Sequence, residues 1–291
     1  METLTIILLA AATMLVLAVL MSFILGWANR AFHVQVNPLV EKAMEILPGT
    51  NCGGCGYVGC SEYAEAVVSG KAPPGKCPVG GHGVAEQLAE LLGVSFEKTA
   101  PKYAVVHCGA GREQKKGLAD YRGEPTCAAA NVTGGVQACA YGCLGLGDCV
   151  RSCCFDAIHV VGGLAAVDYD KCTGCGACVK ACPRDLISLA SFPTDRVLAV
   201  ACSNRDFGKD VKAVCDVGCI GCKACTKVSD LFVMDGQLSR IDYEQYAPDK
   251  AAEAEPAIQK CPTRCIVYRG QGAEASGQAP AEVAEGARAR A

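Results

Sequence analysis

Aromatic side chains are scarce in this sequence. They make up 6% of 291 residues, with a single Trp, too little bulk for one large conventional core. Basic residues hold no excess, and the net charge of −3 removes the electrostatic case for nucleic acid as a partner. The four His (His33, His82, His107 and His159) show neither metal-site nor triad spacing. No G-x-G-x-x-G follows a strand and opens a helix, and the Gly-rich stretch from Gly142 belongs to a cysteine motif. No nucleophile-and-base arrangement stands out. The expectation is a chain with no catalytic residue of its own that binds neither NAD nor flavin.

Charge is missing altogether between Thr3 and Trp27. That run exceeds the roughly 20 apolar residues needed to cross a bilayer as a helix. A cleaved signal would want a basic start, a shorter apolar core and a small-residue cleavage site. This chain begins Met-Glu, and its first positive charge is Arg30, just past the run. The positive-inside rule then places the N-terminus outside and the rest in the cytoplasm. A buried helix of a soluble fold is the competing reading.

Cysteine breaks the pattern of scarcity, with 22 in the chain. Disulfide scaffolds suit short secreted chains, whereas thiols this crowded imply a reducing compartment. The densest group, Cys172, Cys175, Cys178 and Cys182-Pro183, has the C-x2-C-x2-C-x3-C-P spacing of a bacterial [4Fe–4S] ferredoxin. Metal ligation of this kind contributes folding free energy directly, which offsets the thin aromatic core.

The chain divides into five segments. Residues 1–30 form the anchor. Residues 31–100 form a small helical module, with helices expected at Pro38 to Ile46, Ser61 to Ser69 and Val84 to Leu92. Residues 101–200 and 201–270 repeat one another. Val105 to Cys108 and Ala199 to Cys202 both look like strands ending in a cysteine. Cys139-AYG-Cys143-LG matches Cys215-DVG-Cys219-IG, and a further cysteine stands six residues on in each, at Cys149 and Cys225. Ile158-HVVGGLAAVDYDK and Phe232-VMDGQLSRIDYEQ both suggest a hairpin. The second copy has Ser229 and Tyr246 at the places of Cys153 and Cys172. Residues 271–291 are Ala, Glu, Gly and Arg without periodicity and are expected to be disordered. The fold class is α+β: a single transmembrane helix, a helical [4Fe–4S] module, then tandem ferredoxin-like βαβ units.

Ligand sets come from spacing. Cys52, Cys55, Cys60 and Cys77 suit a first cubane, with structural zinc as the rival. The Gly-rich loop around them would let backbone N–H groups approach the sulfides. By the crossed rule of two-cluster ferredoxins, Cys139, Cys143, Cys149 and Cys182 hold one cluster, and Cys153, Cys172, Cys175 and Cys178 the other. Cys219, Cys222 and Cys225, with Cys261-Pro262, make a fourth set. Six cysteines remain: Cys108, Cys127, Cys154, Cys202, Cys215 and Cys265. A fifth cluster on Cys108, Cys127, Cys202 and Cys215 competes with buried free thiols, which behave as small hydrophobes.

The order of parts, with LPGTNCGGCGYVGC, CAYGCLGLGDCVRSCCFDAI and KCTGCGACVKACP after an uncharged span, resembles the B subunit of the Rnf complex. That complex is a membrane-bound, ion-translocating ferredoxin:NAD+ oxidoreductase. The resemblance runs from the anchor to about Tyr268. It implies a subunit that takes electrons from soluble reduced ferredoxin at the cytoplasmic membrane and passes them to partner subunits, with NAD+ reduced elsewhere. Cys154 in place of a proline, Ser229 and Tyr246 depart from the ferredoxin pattern and leave the number of C-terminal clusters open. A membrane-held iron–sulfur reductase that keeps a redox-sensing regulator reduced would need the same clusters. A structural zinc protein is the third class. The modular spacing also suggests a first module able to swing on residues 28–44 and 94–104.

Overall fold

A computed structural model of the chain describes residues 2–32, 37–96, 100–117, 121–192 and 194–270. The expected disordered tail and His33 lie outside these residues. The chain forms two compact units, the first ending at Lys42 and the second starting at Ala43.

The first unit is dominated by helix α1, Glu2–Ala31, 30 residues long. At 1.5 Å per residue it is about 45 Å long, more than a hydrocarbon core of roughly 30 Å requires. It is apolar all round, and none of its candidate span is buried within the protein. A soluble core helix would be covered by the chain; this one is not. Trp27 and Arg30 at its C-terminal end are residue types that favour a membrane interface.

Helices α2 (Pro38–Ile46), α3 (Cys60–Val68) and α4 (Gly81–Leu92) lie where the apolar spacing expects them. Gly93, at φ 65°, ends α4 in the left-handed conformation, and the Val94 N–H closes on the Ala89 carbonyl at 3.0 Å. Tyr63 of α3 is buried at 1% exposure. Its hydroxyl lies 2.8 Å from the Pro73 and Pro74 carbonyls and accepts from the Lys76 N–H at 3.1 Å. One aromatic side chain thereby fastens the segment leading to Cys77 onto α3.

The remainder is built on four two-stranded sheets. Strand β1 (Lys102–Val106) pairs antiparallel with β4 (Ile187–Ser191), enclosing the hairpin of β2 (Ile158–Val161) and β3 (Leu164–Val167). In the second copy β5 (Arg196–Val200) pairs with β8 (Ile266–Gly270) around the hairpin β6 (Phe232–Asp235) and β7 (Leu238–Ile241). The α+β class and both hairpins hold. The βαβ order holds as well, with the helix Ala177–Ala181 between β3 and β4, and every pairing among the described strands is antiparallel. Val105, Ala190 and Phe192 of the first copy pack with Val197 and Ala199 of the second in one shared core.

The first module does not stand apart. A Cβ on Gly54 would sit 3.1 Å from both the Cβ and the carbonyl oxygen of Cys175. The swinging module suggested by spacing is, in this structure, docked on the ferredoxin-like domain.

Candidate iron–sulfur sites

Cys52, Cys55, Cys60 and Cys77 line one pocket. The loop carrying the first two is shaped by left-handed residues Asn51, Gly53 and Gly56. Asn51 Oδ1 accepts from the Cys60 N–H at 2.8 Å, which fixes the loop to the start of α3. The Gly80 N–H donates to Cys77 Sγ at 3.4 Å, an N–H···S bond of the type that tunes a cluster's potential. Burial pushes the Cys77 thiol up, and the Cys55 and Cys60 thiols add to the effect.

A second pocket is lined by Cys127, Cys143, Cys149 and Cys182. Cys139 is not among them. The expected set therefore exchanges one member, and the physical reason is local. Two helices meet here: α5 (Cys127–Thr133) and α6 (Asp148–Arg151). The Asp148 carboxylate accepts from the Cys127 N–H at 2.8 Å and the Ala128 N–H at 2.9 Å. It draws the start of α5 onto the start of α6 and brings Cys127 beside Cys149. Burial raises Cys149 to about 12, with the Cys143, Cys127 and Cys182 thiols next in effect. A signal for this lies in the repeat. Cys219-x2-Cys222-x2-Cys225 aligns with Cys143-x2-Leu146-x2-Cys149, so Leu146 leaves one ligand position vacant. Spacing alone gives no means of choosing Cys127, which is 21 residues from Asp148.

Cys153, Cys172, Cys175 and Cys178 come together around the helix Ala177–Ala181, here α7. Burial raises Cys178 to about 11, followed by the charges of Cys172, Cys175 and Cys153. Gly174 and Gly176 hold φ +68° and +79°, and a Cβ at Gly174 would overlap the Lys102 carbonyl. The CTGCGAC loop thus needs glycine for both reasons, conformation and space.

A third pocket is lined by Cys219, Cys222, Cys225 and Cys261, with Cys265 as a fifth thiol. Cys261 Sγ lies 3.6 Å from Cys265 Sγ. Their shared proton holds Cys261 down to about 5 and Cys265 well up, the latter also facing Cys219. Tyr246 fills the place of a second cluster here. Its hydroxyl accepts from the Leu198 N–H at 2.8 Å, and Tyr243 donates to the Leu198 carbonyl at 3.0 Å.

One turn recurs three times. Asp156, Asp185 and Arg264 have φ of 51°, 50° and 51°, each three residues after a cysteine. The next amide then points back at that sulfur: Ala157 N–H to Cys153 and Leu186 N–H to Cys182, both at 3.4 Å, and Cys265 N–H to Cys261. Cys265 is thus in position as an amide donor to Cys261. Cys154, at the proline place of this turn, is exposed. Accordingly, Cys154→Ser and Cys265→Ala should each leave the iron and acid-labile sulfide content of the anaerobically purified protein unchanged. Loss of about four iron atoms in either variant would make that thiol a ligand.

Cys108, Cys139, Cys202 and Cys215 line a further cavity, apart from Cys127. Of the histidines, His107 is structural. Its Nδ1 donates to the Val200 carbonyl at 3.1 Å and its Nε2 meets Ser188 Oγ at 2.7 Å. Among the described residues no group of three or more His, Cys, Asp or Glu converges closely enough to hold a single metal ion. The thiols stand in groups at the spacing of [4Fe–4S] motifs, which fits iron–sulfur clusters better than mononuclear zinc.

Three family models match. FeS, described as an Fe-S cluster, covers residues 47–79. The 4Fe-4S binding domain covers residues 165–188, and the 4Fe-4S single cluster domain of Ferredoxin I covers residues 215–268. Among curated proteins, the chain is 39% identical to the B subunit of the ion-translocating oxidoreductase complex of Methanosarcina acetivorans, over 83% of this chain and 90% of the relative. It is 38% identical to the B subunit of the Na(+)-translocating ferredoxin:NAD(+) oxidoreductase complex of Acetobacterium woodii, over 83% and 72%. The B subunit of the proton-translocating ferredoxin:NAD(+) oxidoreductase complex of Clostridium ljungdahlii is 37% identical, over 87% and 89%.

Proposed function

The chain belongs to the B-subunit family of the Rnf ion-translocating oxidoreductase complexes and is an iron–sulfur electron-transfer subunit; from that premise we propose that it takes electrons from reduced ferredoxin on the cytoplasmic side and delivers them to membrane partner subunits toward NAD+ reduction, or runs the reverse. Each bound cluster supplies one-electron acceptance and donation with no bond made and no proton moved. The observation that carries the reading is the grouping of motif cysteines around shared pockets, bordered by N–H···S donors.

The four ligand sets are Cys52, Cys55, Cys60 and Cys77; Cys127, Cys143, Cys149 and Cys182; Cys153, Cys172, Cys175 and Cys178; and Cys219, Cys222, Cys225 and Cys261. Cys222 is exposed, which makes the C-terminal set the natural place for a soluble donor to deliver electrons. The first set comes soon after α1 in the chain and faces Cys175 through Gly54. It is the natural exit toward membrane subunits. The charge-free run of α1 offers no path for an ion, so translocation belongs to those partners. Consistent with this, relatives of similar identity are named for sodium and for protons.

The test uses the full chain, purified anaerobically in detergent. Stoichiometric reduced ferredoxin should bring up [4Fe–4S] EPR signals within the mixing time. Zinc without sulfide, or clusters that dithionite reduces and ferredoxin does not, would overturn the proposal.

A further inference from the structure

The four ligand sets leave a gap. The first and third sets touch at Gly54 and Cys175. The second and third are neighbours through Cys149 and Cys178. Among the described residues no such contact is seen between the C-terminal set and the other three. Between them lies the pocket lined by Cys108, Cys139, Cys202 and Cys215. We propose that these four cysteines bind a fifth iron–sulfur cluster, which connects the C-terminal set to the ferredoxin pair. The proposal deepens the relay reading and rests on it.

The thiols come as two equivalent pairs. Cys108 and Cys202 stand two residues past β1 and β5, and Cys139 and Cys215 stand four residues before Cys143 and Cys219. Each repeat supplies one of each kind, so the site straddles the junction of the two copies. The second copy has Ser229 and Tyr246 where the first has ligands, yet both copies carry cysteine at these two places. All four are buried, at 6%, 7%, 9% and 8% exposure for Cys108, Cys139, Cys202 and Cys215.

Backbone hydrogen bonds hold the pairs together. Residues 114–116 run between Cys139 and Cys215: Lys116 N–H donates to Val214 O at 3.3 Å, Asp216 N–H to Gln114 O at 3.2 Å, and Ala138 N–H to Lys116 O at 2.8 Å. Cys139 and Cys215 are thereby set on either side of one strip of chain. The strand ends are tied by the His107–Val200 bond and by Ser203 Oγ, which donates to the His107 carbonyl at 3.0 Å.

Buried free thiols have no need of amide donors aimed at their sulfurs, yet this site has them. Asn204 is a polar side chain at 2% exposure. Its Nδ2 lies 3.6 Å from Cys139 Sγ, and its own N–H donates to Cys202 Sγ at 3.4 Å. Asp206 N–H donates to Asn204 Oδ1 at 2.7 Å, which turns the NH2 end toward the sulfur. A buried amide costs free energy unless its donors are used, and here the side chain and the backbone both donate to thiols. N–H···S bonds of this kind surround cluster ligands and raise the potential by stabilising the more negative, reduced state.

The site also touches both neighbours. Cys108 packs in one buried cluster with Cys143, and Cys202 packs in another with Cys219. The order that results is the C-terminal set, the junction set, the second set, the third set and the first module. Electrons pass one at a time, each leaving one cluster as the next is reduced.

The experiment compares wild type, Cys139→Ala and Asn204→Leu as full chains purified anaerobically. Wild type should hold about twenty iron atoms with matching sulfide, and Cys139→Ala about four fewer. After ferredoxin mixing, Cys139→Ala should show the C-terminal cluster reduced and the first module still oxidised. Asn204→Leu should keep the iron and lower one reduction potential in a redox-poised EPR titration. A wild type with about sixteen iron atoms and a Cys139→Ala protein identical to it would overturn the junction cluster and leave the relay reading standing. Zinc without sulfide would overturn the relay reading itself. Should Cys139→Ala lose every cluster, the Asn204→Leu titration decides, and unchanged potentials would refute the site.

Discussion

Replacing Cys175 with alanine is expected to remove about four iron atoms per chain and to cut ferredoxin-dependent NAD+ reduction in membranes by more than tenfold. The bound of about tenfold is what loss of an outer partner alone causes at metal sites, and Cys175 is placed as a ligand. Two features of its position make the effect larger than for other sets. It lies in the CTGCGAC loop, where Gly174 and Gly176 hold left-handed conformations that only glycine adopts freely. It is also the residue against which Gly54 of the first module packs. Loss of its cluster therefore breaks the path between the ferredoxin-like domain and the first module. Iron analysis and NADH formation by washed membranes check both parts. Full iron content in the variant would remove Cys175 from the ligand set. Lost iron with unchanged NADH formation would mean that electrons bypass the third set.

How much of the fold and site is legible in the sequence depends on range. The apolar span, the helices of the first module and both hairpins are readable because their signals are local: an uncharged run, apolar spacing at helical period, alternation around a Gly turn. Three of the four cysteine groupings read from spacing lie together in the fold. The exchange of Cys127 for Cys139 is not readable by spacing, because the bond that places Cys127 is made by Asp148, far along the chain. Leu146, aligned with Cys222, is the clue that one ligand has to come from elsewhere. Tyr246 stands in the sequence at the place of a ligand, but what it does instead is visible only in the Leu198 bond that spends its hydroxyl on the backbone. The pairings of β1 with β4 and of β5 with β8 join strands far apart in sequence, which no local pattern announces. The docking of the first module is hidden for a different reason. It depends on a glycine whose lack of a side chain matters only against a partner distant in sequence.

That glycine carries the second large prediction. In Gly54→Val the first branch atom would meet Pro78 Cγ at 2.9 Å and Cys175 at 3.1 Å, and the two methyl groups beyond it would have no space. Overfilling a packed contact costs about 1–3 kcal/mol; Pro78 lies in the module itself, whereas the clash with the Cys175 Cβ and carbonyl is relieved by moving the module off the domain. Iron content should stay at the wild-type value, because neither ligand set loses a thiol. Electron transfer between the two sets should slow, since tunnelling falls steeply with separation. Ferredoxin mixing followed by freeze-quench EPR would show the ferredoxin-like domain reduced at the wild-type rate and the first module lagging behind it. Gly54→Ala should lie between, as a single methyl group displaces the contact less. A Gly54→Val protein in which both signals rise together would mean that the module reaches its electrons by some other approach, and the swinging attachment suggested by its flanking segments would become the better account. A protein that loses the iron of the first set would instead show that the contact with Cys175 supports assembly of that site, because the loop from Asn51 to Gly59 then needs the domain behind it to hold its ligands in place.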